Sequence, residues 1–206
     1  MARKAALGKN QMAERLAGVF CDYGYDGASL TLLADATNLS RASLYHHFPA
    51  GKQDMAACAL GYSGMQFQKL ILAPLMKTGG KATRQQARDQ TARQQAGTAA
   101  LTSLRGVLHY YPGERPVCLM NILSLGSASA LFGAQIKAAV GAWRAALARV
   151  LTVCGLKDAE ASAEAMIVSI QGALVLSRVL ASREPLETAI EKTIQQITTE
   201  IDMLST

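Results

Sequence analysis

The stretch Ser29 to Lys52, SLTLLADATNLSRASLYHHFPAGK, leaves few folds open to the chain. Thr31 to Ala36 is a short run of helix formers, interrupted by Thr37, Asn38 and Leu39. Ser40 stands where an N-cap hydroxyl accepts a backbone N–H, and it opens a second short helix that must end before Pro49. Two short helices joined this tightly outline a helix-turn-helix. The turn needs a residue that tolerates a left-handed backbone. Gly is the usual choice, and Asn38 is the next best.

Rotation around the second helix, at about 100° per residue, tests this outline. Leu44 and Phe48 share one face, the natural buried one. The point opposite falls at His46, flanked by Ala42 and Ser43. Arg41 and Tyr45 lie on one shoulder of the apolar pair and His47 on the other. No acid stands on the exposed face. A cation, hydroxyls, aromatic rings and one small residue suit a helix laid in a DNA major groove. There Arg pairs with guanine edges, Ser reads either way, and small groups touch thymine. Arg41, Ala42, Ser43 and His46 are therefore candidate base readers. Tyr45, His47 and Lys52 suit phosphate contacts, which set register. Thr31, near the start of the preceding helix, is a candidate phosphate or base contact, and Ser29, which caps that helix, a phosphate contact.

This segment resembles the DNA-binding motif of the TetR/AcrR family of one-component regulators. The run LSRASLYHHFPAGK carries the resemblance, through its S-x-x-x-LY-x-HF pattern followed by a Lys. Asn38-Leu39 departs from the usual Gly followed by a β-branched residue. Ala50-Gly51-Lys52 has one residue more than the common S-K ending, and this resembles the LmrA/YxaF-like subgroup. The resemblance covers roughly the first quarter of the chain. The remainder is similar to the family in helical content and length.

Composition agrees with an all-α chain of about nine helices. Half of the 206 residues are hydrophobic, so a substantial core is possible. β-Branched alternation is nearly absent, and no stretch reads as a strand hairpin. No uninterrupted apolar run reaches the roughly 18 residues of a membrane helix, and Met1 to Lys9 lacks the apolar region of a secretory signal. The expected place is the cytoplasm, with no membrane partner. Cys21, Cys58, Cys118 and Cys154 are widely spaced, with neither a C-x-x-C pair nor zinc-ligand spacing. No metal and no cofactor is expected, and the four thiols read as small buried groups.

Charge is uneven. Residues 1–60 carry six Lys/Arg against five Asp/Glu, residues 61–113 seven against one, and residues 114–206 eight against nine, for a formal net +6. The recognition segment is thus not the basic part. Its acids, Glu14, Asp22, Asp26, Asp35 and Asp54, are expected on the side away from DNA, and a few cations per subunit suffice when two subunits bind together.

Taken in order, Met1 to Gly8 reads as an arm bearing Arg3 and Lys4. Asn10 to Tyr23 is a supporting helix with Met12, Leu16, Val19, Phe20 and Tyr23 on one face, and Gly24 to Gly27 is a turn. A longer helix runs from Lys52 to about Leu72, before Pro74. Thr78-Gly79-Gly80 is a loop, and Lys81 to about Tyr110 a long helix with a polar first half. Val117 to Leu125 is short and apolar. Ser127 to Val153 is long, with Gly155 as C-cap. Asp158 to Ala181 and Glu184 to Leu204 close the chain, with Pro185 in a first turn.

The resemblance implies two domains: residues 1–54 as a three-helix DNA-binding head, and residues 55–206 as a helical ligand-binding and dimerisation domain. It implies a homodimeric repressor with two partners, a near-palindromic double-stranded DNA operator and a small-molecule inducer. Met65, Phe67, His109, Tyr110, Met120, Asn121, Phe132 and Trp143 are the candidate pocket, suited to a greasy molecule. The last two helices would pair with their copies in a four-helix interface. Its expected face is Met166, Ile170, Ala173, Leu174 and Ser177, opposed by a seam of Leu186, Ile190, Ile194, Ile197, Ile201 and Leu204. The same seam read without the family is an internal core. The alternative function is an all-α small-molecule binder without specific DNA binding. An enzyme is not expected, since no H-E-x-x-H, G-x-S-x-G or Gly-rich phosphate loop is present.

Overall fold

Ten α segments follow one another in this computed structural model, which describes residues 8–77 and 89–203. They are α1 (Lys9–Gly27), α2 (Leu30–Thr37), α3 (Arg41–His47), α4 (Lys52–Phe67), α5 (Ala73–Met76), α6 (Gln90–Tyr110), α7 (Leu119–Leu123), α8 (Ala128–Cys154), α9 (Ala159–Leu180) and α10 (Glu184–Met203). A π-helical segment, Gln68–Leu72, joins α4 to α5. With 52–76 taken as one continuous rod, nine helices and no strand stand among the described residues. The Arg3 and Lys4 arm, the 78–80 loop, the Lys81 helix start and Leu204 lie outside the described residues.

Two compact units divide the chain. One comprises residues up to Gln66 together with Cys118–Lys137, the other Phe67–Val117 and the residues from Ala138 on. Compactness therefore groups 55–66 and 118–137 with the helix-turn-helix, whereas the motif alone suggests a division after residue 54.

In the first unit α1 packs on both α2 and α7. Leu16, Phe20, Leu33, Leu44, Met55 and Leu123 are fully buried. The α1 geometry breaks at Gly24 (φ 71, ψ 173), a conformation open to a residue without Cβ. Ser29 then caps α2, its hydroxyl accepting the Leu32 N–H at 3.2 Å. Asn38 ends α2 in the left-handed region (φ 54, ψ 31). The Leu39 N–H turns back to the Ala34 carbonyl at 3.1 Å, which satisfies a helix-end acceptor. Ser40 caps α3 by accepting the Ser43 N–H at 3.1 Å. Thr37, buried, donates to Leu33 O at 2.7 Å, so its hydroxyl is satisfied within α2.

In the second unit α6 packs on the π segment, α5 and α10, and α10 packs on α9. Gly106 allows the closest approach, since a Cβ there would collide with the Leu70 carbonyl. The buried Ser103 hydroxyl donates to Ile71 O at 2.9 Å. Pro74 was expected to lie beyond the helix, yet the rod continues to Met76. It sits in the first turn after the π segment, where a missing N–H costs little. Among the described residues, α6 begins at Gln90. Asp89, in extended backbone, caps it by accepting the Thr91 and Ala92 N–H groups at 2.8 and 3.2 Å.

The expected interface residues lie largely inside the chain. Met166, Ile170, Ala173, Leu174 and Ser177 of α9, and Leu186, Ile190 and Ile197 of α10, are buried within the chain; Ile194 and Ile201 are half-buried. The two stripes pack within the second unit, where α6 also lies on α10. Outward on α9 stand Val168, Val175, Leu176, Val179 and Leu180, 54 to 73 % exposed. Among the described residues α9 is the one helix long and apolar enough by composition to cross a membrane, with a mean hydropathy of 1.5. Its inward stripe, packed on α10, is what a core helix also presents.

Candidate nucleic-acid interface

Leu44 and Phe48 anchor α3 in the first unit, and everything on its far side meets solvent. Arg41, Ala42, Tyr45, His46 and His47 are exposed and Ser43 half-buried. The candidate contacts on α2 and its cap, Ser29 and Thr31, are exposed as well. The seven-residue helix thus presents one cation, two imidazoles, one phenol and hydroxyls along a continuous face, as its rotation requires.

Several of these groups are already engaged. Arg41 Nη2 donates to Thr31 Oγ1 at 2.5 Å. The Ser40 and Ser43 hydroxyls lie 2.9 Å apart. The His46 and His47 rings meet edge to face at 5.8 Å. Tyr45 runs beside Gly51, whose left-handed backbone (φ 67) leaves only 3.4 Å between a hypothetical Cβ and the Tyr45 ring.

Lys52 is turned aside from this row. Its Nζ lies 4.8 Å above the Tyr25 ring, a cation–π distance. Asp26, next in sequence, accepts the Ser127 N–H at 3.2 Å and the Ser127 hydroxyl. Those hydrogen bonds, hydroxyl first, hold its carboxyl below the usual aspartate range, and nearby Lys52 adds to the effect. Asp54 accepts the Ala50 N–H at 2.7 Å. Two of the five acids of residues 1–60 are therefore taken up in hydrogen bonds within the chain.

Of the candidate pocket residues, Phe67, Tyr110 and Trp143 come together in the second unit. Phe67 is edge-on to Trp143 at 5.3 Å and to Tyr110 at 5.5 Å, and Tyr111 joins Tyr110 at 4.6 Å. Met120, Asn121 and Phe132 belong to the first unit. There Phe132 meets Tyr25 edge to face at 6.2 Å. Met65 and His109 stand apart from this aromatic group. Met65 is 56 % exposed, and His109 is exposed with Nδ1 3.0 Å from Arg105 O on its own helix. No group of three or more His, Cys, Asp or Glu among the described residues could hold a metal ion.

Sequence reasoning missed the pairs that join separate elements. Arg15 Nη1 donates to Ala36 O at 3.0 Å, tying α1 to the end of α2. Neither this pair nor Arg41–Thr31 has any local sequence signal.

Two family models match the chain. The one described as bacterial regulatory proteins, tetR family, covers residues 16–58, and the one described as transcriptional regulator LmrA/YxaF-like, C-terminal domain, covers residues 111–192. No curated protein matches. Solved structures share the fold. A TetR transcriptional regulator from Legionella pneumophila matches with a TM-score of 0.70 at 19 % identity, over 94 % of this chain and 99 % of that one. One from Chloroflexus aurantiacus gives 0.67 at 21 %, over 92 % and 93 %. A cysteine-substituted form of the TetR family regulator CifR, complexed with 26-bp double-strand operator DNA, gives 0.66 at 22 %, over 94 % and 98 %.

Proposed function

The chain belongs to the TetR family of bacterial transcriptional regulators, in its LmrA/YxaF-like branch, and from that premise we propose that it is a homodimeric, ligand-released repressor acting in the cytoplasm. Residues 1–54 form its DNA-binding head and the rest binds the ligand and the second subunit. The observation that carries the reading is the exposed face of α3, with Arg41, Tyr45, His46 and His47 opposite the buried Leu44 and Phe48. Two copies of α3 enter successive major grooves, about 34–36 Å apart. Arg41, Ala42, Ser43 and His46 read bases. Ser29, Thr31, Tyr45, His47 and Lys52 hold phosphates, Lys52 leaving the Tyr25 ring to do so. A complex of operator DNA with the similarly folded CifR supports this reading.

The homodimer forms through the outward face of α9. Val168, Val175, Leu176, Val179 and Leu180 leave apolar surface in water, and burying it against the same face of a second copy gives a closed two-fold contact. The inducer is a small hydrophobic molecule held near Phe67, Tyr110 and Trp143. It shifts the dimer only as far as its affinities for the DNA-competent and DNA-incompetent states differ.

Fluorescence anisotropy against DNA from upstream of its own gene, beside scrambled DNA, tests the reading. A steep salt dependence and a preference of about a thousandfold or more are expected. Equal, weak binding to both duplexes, repeated with a genome-wide selection, overturns it in favour of a small-molecule binder without specific DNA recognition. Trp143 is the one tryptophan of the chain, so its emission reports ligand entry directly.

A further inference from the structure

We propose that Thr31 is the positioning residue for Arg41, and that it thereby decides how sharply the recognition helix discriminates at the base pair Arg41 reads. The proposal deepens the DNA-binding reading above and rests on it. Arg41 is the first residue of α3 and Thr31 the second of α2. They are ten positions apart, and the turn at Asn38 with the cap at Ser40 brings Nη2 within 2.5 Å of Oγ1.

Both side chains are exposed, so no demand for satisfying a buried group explains the pair. Its consequence is geometric. Reading guanine takes two parallel N–H donors aimed at O6 and N7. A free arginine samples many rotamers and loses that freedom on binding, whereas a guanidinium already held in place loses less. The bond to Thr31 engages one of five N–H donors and leaves the others for a base edge. Because Thr31 Oγ1 is the acceptor, its own O–H stays available to donate to a phosphate. One hydroxyl thus ties base reader to backbone contact. Ser43 is held in a comparable way, its hydroxyl 2.9 Å from that of Ser40.

The test is a binding selection from duplexes with randomised half-sites, run on the full chain and on Thr31→Val, Thr31→Ser, Arg41→Ala and the Thr31→Val/Arg41→Ala pair. Thermal melts followed by circular dichroism verify that each variant folds. Arg41→Ala should lose preference at one position per half-site. Thr31→Val should relax preference at that same position by about two- to tenfold. Thr31→Ser should restore it, and in preference at that position the double variant should match Arg41→Ala alone, whatever uniform loss the missing phosphate contact of Thr31 adds. Thr31→Val weakening all duplexes without relaxing that position, or losses of preference that add in the double variant, would overturn the proposal. So would a preference profile that Arg41→Ala leaves intact, and in that case the DNA-binding reading survives. If the unaltered chain selects no motif, that reading fails and carries this proposal down with it.

Discussion

Asp26 accepts the backbone N–H of Ser127 on one carboxylate oxygen and its hydroxyl on the other, although 101 residues separate the two. Gly126 makes the approach possible. Its backbone is left-handed (φ 57), and a Cβ there would collide with the same carboxylate. Ser127 immediately precedes α8, so Asp26 also sets a negative charge at the start of that 27-residue helix, where the peptide dipoles favour it.

The first prediction follows from this pair. The Ser127 hydroxyl and N–H lower the Asp26 carboxyl, with Lys52 assisting. A carboxyl that is lower in the folded state stabilises that state above its unfolded value, about 3.9. The contribution is lost as pH falls from there through the folded value. Carboxyl NMR should therefore find Asp26 titrating below an ordinary aspartate, and Ser127→Ala should move it upward. An Asp26 curve indifferent to Ser127→Ala would sink the assignment.

A second prediction concerns the turn between α2 and α3. Asn38 occupies the left-handed region, which Gly enters without penalty and other residues enter at about 1–2 kcal/mol. Urea unfolding should show Asn38→Val destabilised by roughly that amount and Asn38→Gly close to the parent. Equal stability of all three would mean that the turn relaxes.

The α9 faces make a third. Val175→Glu together with Val179→Glu alters exposed positions, and should yield folded monomers in analytical ultracentrifugation. Ile190→Asp puts a charge at a fully buried position and should unfold the second unit by circular dichroism, because an unpaired buried charge is strongly destabilising. Intact dimers of the Val175/Val179 variant would place the interface elsewhere.

A fourth concerns the thiols. Cys154 is buried, and burial raises its pKa to about 11, outweighing the opposing pull of Arg93. Burial raises Cys58 as well. Since the thiolate is the reacting form, native protein at pH 8 should leave Cys154 unmodified by a maleimide until denaturant is added, as mass spectrometry would record. Prompt native labelling at Cys154 would show that the second unit opens locally.

Ser29, Asn38, Ser40 and Gly155 were legible because caps and turns depend on groups within four or five residues along the chain. The left-handed turn at Asn38, the Ser40 hydroxyl beneath the Ser43 N–H and the Leu44–Phe48 anchor all follow from local spacing. The Asp89 cap of α6 was less legible, because a carboxylate among many polar residues gives no sharp local signal.

What the sequence by itself determined is the all-helical class, the helix-turn-helix and which side of α3 meets solvent, since each rests on periodicity and capping. Tertiary structure alone decided which apolar stripe of α9 is covered, that Met65 and His109 face outward, and that Arg41 meets Thr31 and Asp26 meets Ser127. The reason is physical. A helix with apolar residues on two sides, as α9 has, contains no local signal for which side finds a partner. That choice is made by the shapes of helices far away in the chain, and by how closely a Gly106 or a Gly126 lets them approach.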